Sequence, residues 1–385
     1  MSRGIPLHNT GSVMENGKTG FKLIFILALL ICCNPTFAAN DTADTTLYVV
    51  APFSGSLSNF GTQIRAGVTA AINHANTSQK NRGHLTAEFI DDGCAADRAE
   101  TIAKQLVEKK AEAVLGHVCS IASMPASVIY AEANIAMVSA ASSNSALTER
   151  GLHNVFRVAG RDDEQAKLAA GFIAEKFAGK KIAIVQEGDL TGKGHGGRVL
   201  DALAKKGIKP ERIFTLDGTE QISTIAADLV KSEIDVIFYG GHQAVELGEL
   251  LKQTRAAQFK GQFISNDGAG NHSVWDASSG AAEGLLFTFD HDYRDEPSAR
   301  EALVSLQAIG AEPDGFTLNA YASTQILIQA LEKNRGRMGN NIVDYLHSHS
   351  FDTALGTVKF DSKGDLTEPH ESLFIWRNGK AEQLR

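Results

Sequence analysis

Positive charge is in short supply in this sequence: 37 Lys and Arg face 45 Asp and Glu, a formal net charge of −8. That balance argues against a nucleic acid or an anionic membrane as partner. Cysteine is scarcer still, with four in 385 residues. The 12 histidines are scattered, and the neighbouring pair His347 and His349 lacks the spacing of a metal site, so it reads as surface histidine. No metal and no cofactor is expected. Also missing is an apolar run fit to cross a bilayer, since residues 23–33 fall well short of the roughly 20 residues that a spanning helix needs.

What stands at the N-terminus is processing information. Lys18 and Lys22 precede the apolar run, and Thr36-Phe-Ala38 offers small residues at the cutting positions. This layout predicts a secretory signal peptide over residues 1–38, cleaved after Ala38 or Ala39. Met14 is an alternative start, because Met1 to Val13 lie awkwardly ahead of the signal. A lipid anchor on Cys32 or Cys33 is a weak alternative, since neither follows the small residues such a signal carries. Export leaves Cys94 and Cys119, an even pair in an oxidising compartment, which predicts a disulfide. The rival reading makes Cys119 a nucleophile with His117 as base. It is disfavoured because alternate residues of an extended segment face opposite ways.

With 43% hydrophobic and 21% charged residues, a chain of this length supports two domain-sized cores. Apolar runs of the buried parallel-strand kind (Thr46 to Phe53, Leu85 to Ile90, Ala113 to Leu115, Ile135 to Ala140) alternate with helical spacing. Residues 54–61 read as a loop before a helix from Thr62, and Asp97 with Glu100 resembles a capping box. Around Val155 to Asp163 the pattern restarts, with strands at Lys181 to Val185, Arg212 to Leu216, Val236 to Tyr239 and Gln262 to Ile264. The fold class expected is α/β, two doubly wound parallel-sheet lobes with a ligand cleft between them. The glycine-rich stretch Gly188-Asp-Leu-Thr-Gly-Lys-Gly194 reads as a loop ahead of a helix from Gly197. It fails as a phosphate loop, because Gly194 stands where Ser or Thr would hold magnesium. Its glycines are expected to let the turn approach the other lobe closely.

The stretch around Gly116-His-Val-Cys-Ser120 reads as strand, turn and helix start, so the N–H groups of the first helical turn point out of the strand's carboxyl end. Such a turn is a seat for a carboxylate or phosphate, and equally a helix cap without a ligand. Other predicted strand ends carry the Ala141-Ser-Ser143 loop, Thr191, His242 and Asp267. The first lobe thus offers hydroxyls and a helix N-terminus, and the second a carboxylate, Asp267, in an otherwise uncharged loop. That division suits a zwitterion held at both ends, although Asp267 also fits an Asx turn or cap ahead of Asn271. No nucleophile–base pair or second carboxylate converges there, so an enzyme is not expected and no catalytic residue is assigned.

The motifs Asp91-Asp-Gly-Cys94, Gly116-His-Val-Cys-Ser120, Leu147-Thr-Glu-Arg-Gly151, Phe238-Tyr-Gly-Gly241, Ala282-Glu-Gly-Leu-Leu286 and Lys363-Gly-Asp-Leu366 run in order through the chain. In them the sequence resembles the periplasmic leucine/isoleucine/valine-binding proteins, the type I substrate-binding components of branched-chain amino-acid ABC transporters. The resemblance implies two lobes joined by three crossovers: lobe 1 at 39–161 and 291–371, lobe 2 at 162–290 and 372–385. It implies a monomer that captures a free amino acid in the periplasm and hands it to permease subunits of the inner membrane. A periplasmic sensor with the same fold is the alternative. By the same resemblance Ser120, Ala141 and Ser143 hold the ligand's carboxylate, Asp267 its ammonium, and Cys94–Cys119 is the family disulfide. Phe60 and Phe316 are apolar candidates for the side-chain pocket. Thr191 and His242 stand where the family commonly has aromatics, so the wall that chooses the side chain is altered.

Overall fold

The computed structural model describes residues 44–78, 83–334, 341–368 and 371–384; the predicted signal peptide lies outside them. In chain order come β1 (Thr45–Ala51), α1 (Ser58–Ser78), β2 (Leu85–Asp91), α2 (Ala96–Glu108), β3 (Ala113–Leu115), α3 (Ser120–Glu132), β4 (Ala136–Ser139), α4 (Ala146–Glu149) and β5 (Val155–Arg157). Then follow α5 (Asp162–Lys176), β6 (Ile182–Glu187), α6 (Leu190–Ala204), β7 (Arg212–Leu216), α7 (Ile222–Lys231), β8 (Val236–Gly240), α8 (Ala244–Ala256), β9 (Gln262–Ser265), α9 (His272–Ala277) and β10 (Leu286–Asp290). The chain ends with α10 (Arg300–Ala308), α11 (Thr317–Asn334), α12 (Ile342–Ser348), a hairpin of β11 (Ser350–Thr353) and β12 (Gly356–Lys359), then β13 (Glu371–Arg377) and β14 (Lys380–Gln383).

The first sheet is all parallel, in the order β2-β1-β3-β4-β5. Its central strands β3 and β4 are buried along their whole length, as near-continuous apolar runs require when helices cover both faces. The second sheet runs β14-β13-β10-β9-β8-β6-β7, and β13 and β14 join it antiparallel. It is therefore mixed at one edge, where a purely parallel sheet was expected. In each sheet the winding direction reverses at one place, between β1 and β3 and between β6 and β8. Crevices at the carboxyl ends of such strands are where open α/β sheets collect ligands.

Two helices begin earlier than their sequence suggests. Helix α1 opens at Ser58, so Phe60 sits in its first turn, and a side chain at Gly61 would collide with the Pro52 carbonyl. Helix α6 opens at Leu190, where Asp189 caps it by accepting the Gly192 N–H at 2.7 Å. Four glycines make this segment a poor helix by propensity, but tertiary packing outweighs propensity here. Gly192 and Gly196 lie against Glu187 and Gln186 of β6, so these glycines serve close packing within their own lobe and not against the other. The expected capping box at Asp97 is absent: Ala95 precedes α2 without a side-chain cap.

Buried charge ties the return segment to the first sheet. Arg157, fully buried at the end of β5, donates to Asp365 Oδ1 at 2.6 Å and also to the Thr148 hydroxyl, while Arg161 reaches Asp365 Oδ2 at 2.7 Å. Burial alone would raise the Asp365 carboxyl; Arg157, then the bonds from Arg161 and Thr148, hold it below its ordinary value.

A second acidic cluster fastens the crossovers. Gly160 N–H donates to Asp290 Oδ1 at 2.8 Å, and Arg161 N–H donates to Glu371 Oε1 at 3.0 Å. Asp290 and Glu371 are themselves opposite one another in the β10–β13 register. A side chain at position 160 would overlap both carboxyls. Burial chiefly, against the hydrogen bonds from Asn319 and Gly160 and with Asp267 adding to it, pushes Asp290 up to about 6; burial, then the charges of Asp290 and Asp267, pushes Glu371 up to about 9. Both shifts are upward, so the native state holds these protons more tightly than the unfolded chain. The stability Glu371 contributes is complete below its unfolded value of 4.5 and is lost as pH rises toward 9.

Two outcomes follow. Glu371→Gln keeps an acceptor for the Arg161 N–H and removes the titrating proton. Its urea-unfolding free energy is expected to fall less between pH 6 and 9 than that of the native protein, and an identical pH slope would move the titration elsewhere. The disulfide Cys94–Cys119 is present, closing a separation of 25 residues. Replacing both cysteines with serine is expected to lower stability by about 3 kcal/mol on the chain-entropy account; an unchanged unfolding midpoint would remove that brace.

Candidate functional site

The turn between β3 and α3 is held from every side. Gly116 has φ +137°, and a side chain there would strike the Val50 carbonyl of β1, so only glycine brings β3's end this close to the switch point. The His117 carbonyl accepts from the hydroxyls of Ser139 (2.7 Å), Ser142 (3.1 Å) and Ser123 (3.2 Å). The His117 ring is fully buried, with Nδ1 2.7 Å from Asp92 Oδ2 and Nε2 3.2 Å from the Tyr130 hydroxyl. Burial, then the Asp92 charge, raises the Tyr130 phenol. Cys119, in extended conformation, precedes α3 and is bonded to Cys94. The nucleophile reading of Cys119 with His117 is thereby overturned: the sulfur is in a disulfide and the imidazole is committed to Asp92. What the turn presents is the start of α3, with Ser120 Oγ accepting the Asn144 N–H at 3.2 Å.

Across the cleft Asp267 lies in a 3-10 turn after β9, 8% exposed. Its Oδ2 accepts from Gln165 Nε2 at 2.9 Å and its Oδ1 from Asn266 Nδ2 at 3.0 Å. Gln165 Oε1 in turn accepts the Asp267 N–H at 3.2 Å and the Thr288 hydroxyl at 2.9 Å. Asp267 therefore does not cap α9; Asn271 does, through the Ser273 N–H. Burial chiefly, with Asp162 adding to it, raises the Asp267 carboxyl, against the lowering effects of His195, Gln165 and Asn266. No lysine or arginine pairs with Asp267 among the described residues.

One small cavity of about 60 Å³ collects every expected ligand residue: Phe60, Ser120, Ala141, Ser143, Thr191, His242, Asp267 and Phe316. Val118, Cys119, His195 and Gly268 complete the lining. The Phe60 and Phe316 rings lie 6.1 Å apart, centre to centre, and form an apolar end on the first sheet's side. The opposite wall, Thr191, His195 and His242, is polar. Direct bonds join the two sides, Arg198 to Asn144 Oδ1 at 3.1 Å and Asn59 to the Ser273 hydroxyl at 3.0 Å. A larger hollow of about 660 Å³, lined by His291, Lys359 and Glu371 among others, shares none of the eight residues. The small cavity, and not the larger hollow, joins apolar rings to a few convergent polar groups at the strand ends, the lining of a ligand site.

Sequence reasoning missed His195, Gln165 and Glu187. His195 follows Thr191 by one helical turn, a relation hidden while the glycine-rich segment was read as loop. Its Nδ1 stands 3.9 Å from Asp162 Oδ1. Glu187, at the end of β6, accepts from the Tyr239 hydroxyl and from the His242 and Gln243 N–H groups on one oxygen. A lone carboxylate closing an apolar strand was the available signal.

Comparison with known proteins agrees with this architecture. The family model described as "Periplasmic binding protein" matches residues 47–375. An amino acid binding protein of Pseudomonas aeruginosa is 32% identical over 369 residues, covering 93% of this chain and 97% of that one. The Leu/Ile/Val-binding protein of Escherichia coli K12 is 34% identical, covering 89% and 94%. Among solved structures, a leucine binding protein from Thermotoga maritima superposes with a TM-score of 0.79 at 22% identity, covering 89% of this chain and 98% of its own. The chain belongs to the periplasmic binding protein family, in its leucine/isoleucine/valine-binding branch.

Proposed function

We propose that this protein captures an amino acid, branched-chain or a related small one, in the periplasm and delivers it to the permease subunits of an ABC transporter. The observation that carries the reading is Asp267: a buried carboxylate, facing a cavity, with no lysine or arginine among the described residues to neutralise it. A ligand ammonium supplies that charge. The ligand's carboxylate then lies at the start of α3, with Ser120, Ala141 and Ser143, and its side chain between Phe60, Phe316, Thr191 and His242. Residues 39–161 and 291–371 form the lobe that takes the carboxylate; 162–290 and 372–385 form the lobe that takes the amine. The signal peptide is removed on export, and the mature protein acts as a monomer without cofactor or catalytic step. Relatives named for the amino acids they bind favour capture over the sensor alternative.

The mature protein is first screened by thermal shift against amino acids, where a ligand at 100 times its Kd adds about 2.7 kcal/mol. Calorimetry with the selected amino acid then compares variants. Asp267→Asn keeps the shape and removes the charge, and is expected to cost about 2–3 kcal/mol, roughly a hundredfold in Kd. Ser120→Ala is expected to cost about 1 kcal/mol, because backbone N–H groups still hold the carboxylate. Native affinity in Asp267→Asn would place the amine elsewhere.

A further inference from the structure

The second sheet's own switch point, between β6 and β8, holds a carboxylate cluster that shares only His242 with the amino-acid cleft. Glu187 Oε1 is saturated by the Tyr239 hydroxyl at 2.7 Å, the His242 N–H at 2.8 Å and the Gln243 N–H at 2.7 Å. These bonds fix the carboxylate and aim Oε2 the other way. There Oε2 is buried without a hydrogen-bond partner, on a residue 2% exposed. It faces His242 Nδ1 at 3.7 Å, also buried and also without a hydrogen bond. Asp189 closes the group from the ring's other nitrogen, with Oδ2 3.7 Å from His242 Nε2, and one donor atom from each of the three lies within 4.8 Å of the others.

We propose that Glu187, Asp189 and His242 bind a divalent transition-metal ion of the zinc class. Tetrahedral zinc with imidazole and carboxylate ligands keeps its donor atoms about 3.4 Å apart, so Glu187 Oε2 and His242 Nδ1 need a few tenths of an ångström of contraction, while the exposed Asp189 side chain, within 4.8 Å of them, has further to move to reach the same ion. An imidazole among the donors selects against calcium and magnesium, which take oxygen. Charge favours the ion as well. Burial, then Glu187, Asp189, Glu220 and Asp217, pushes the Glu246 carboxyl up to about 7. No lysine or arginine pairs with Glu187 or Asp189 among the described residues. Glycine keeps the cradle tight: a side chain at Gly192 or Gly241 would collide with Glu187. Asp189 is half exposed, which gives the ion a path in, and His242 also lines the cleft. The rival account is an imidazolium set between two carboxylates with no metal at all.

The test uses metal alone, so it stands apart from amino-acid capture. Mature protein stripped with EDTA is titrated with zinc chloride by calorimetry and followed by thermal melting. One ion per chain is expected, with a higher melting midpoint. His242→Ala is expected to abolish that site. Asp189→Asn, at an exposed position that keeps its helix-capping oxygen, is expected to weaken it by about tenfold or more. Absence of binding at millimolar zinc overturns the proposal. So does binding that survives both substitutions, which would be an adventitious ion only, held by surface histidines.

Discussion

A carboxylate shut away from water costs more than neutral hydrogen bonds return, unless a cation arrives to meet it. Asp267 is in that condition. Gln165 and Asn266 orient both of its oxygens without neutralising them, and the raised carboxyl records the deficit. The surroundings are arranged to keep the deficit in place. Gln165 is locked by Thr288 and by the Asp267 backbone, so the carboxylate cannot swing out to solvent without breaking a set of bonds at once. Across the cavity the start of α3 supplies the opposite polarity, fixed by the His117 carbonyl and its serines. Neither half is satisfied by the other side of the protein. The proposed zwitterion would satisfy both.

The same economy of buried charge holds the frame around the cleft. Arg157 and Arg161 converge on Asp365 and tie the return segment to β5. Asp290 and Glu371 receive the backbone N–H groups of Gly160 and Arg161, so different stretches of chain passing between the sheets are fastened to one another within a few ångströms. The first cluster is neutralised by arginine and its acid stays low; the second has no arginine side chain on it among the described residues, and its acids are driven up. Charge pairing and proton uptake thus do similar structural work at neighbouring positions.

Much of this was legible in the amino-acid order. Strand runs such as Val236-Ile-Phe-Tyr239 and Ala113-Val-Leu115 are apolar throughout because both faces are covered, and that signal survives without tertiary information. The strand-end residues that line the cavity were legible for the same reason, since the carboxyl end of each strand is fixed once the strand is. What was not legible depends on contacts distant in sequence. The glycines of 192–197 read as loop, yet packing against β6 makes them helix and brings Thr191 and His195 to one face. Asp97 looked like half of a capping box; nothing local reveals that α2 starts without one. Gln165 gave no sign of its role, because a glutamine on a helix acquires meaning only from the loop it meets. The Lys363-Gly-Asp-Leu366 motif pointed to a family; its physical content, Asp365 between two arginines, needed the fold.

The central claim is that this cleft demands both ends of a zwitterion. The direct measurement is calorimetric titration of the mature protein with leucine, or with whichever amino acid binds best, beside its counterparts lacking the amine or the carboxylate: for leucine, 4-methylpentanoate and 3-methylbutylamine. The account predicts binding of the intact amino acid and a loss of roughly a hundredfold or more for the molecule without an ammonium, the worth of a buried charged hydrogen bond. Equal affinity for 4-methylpentanoate would contradict it, because Asp267 would then be holding nothing.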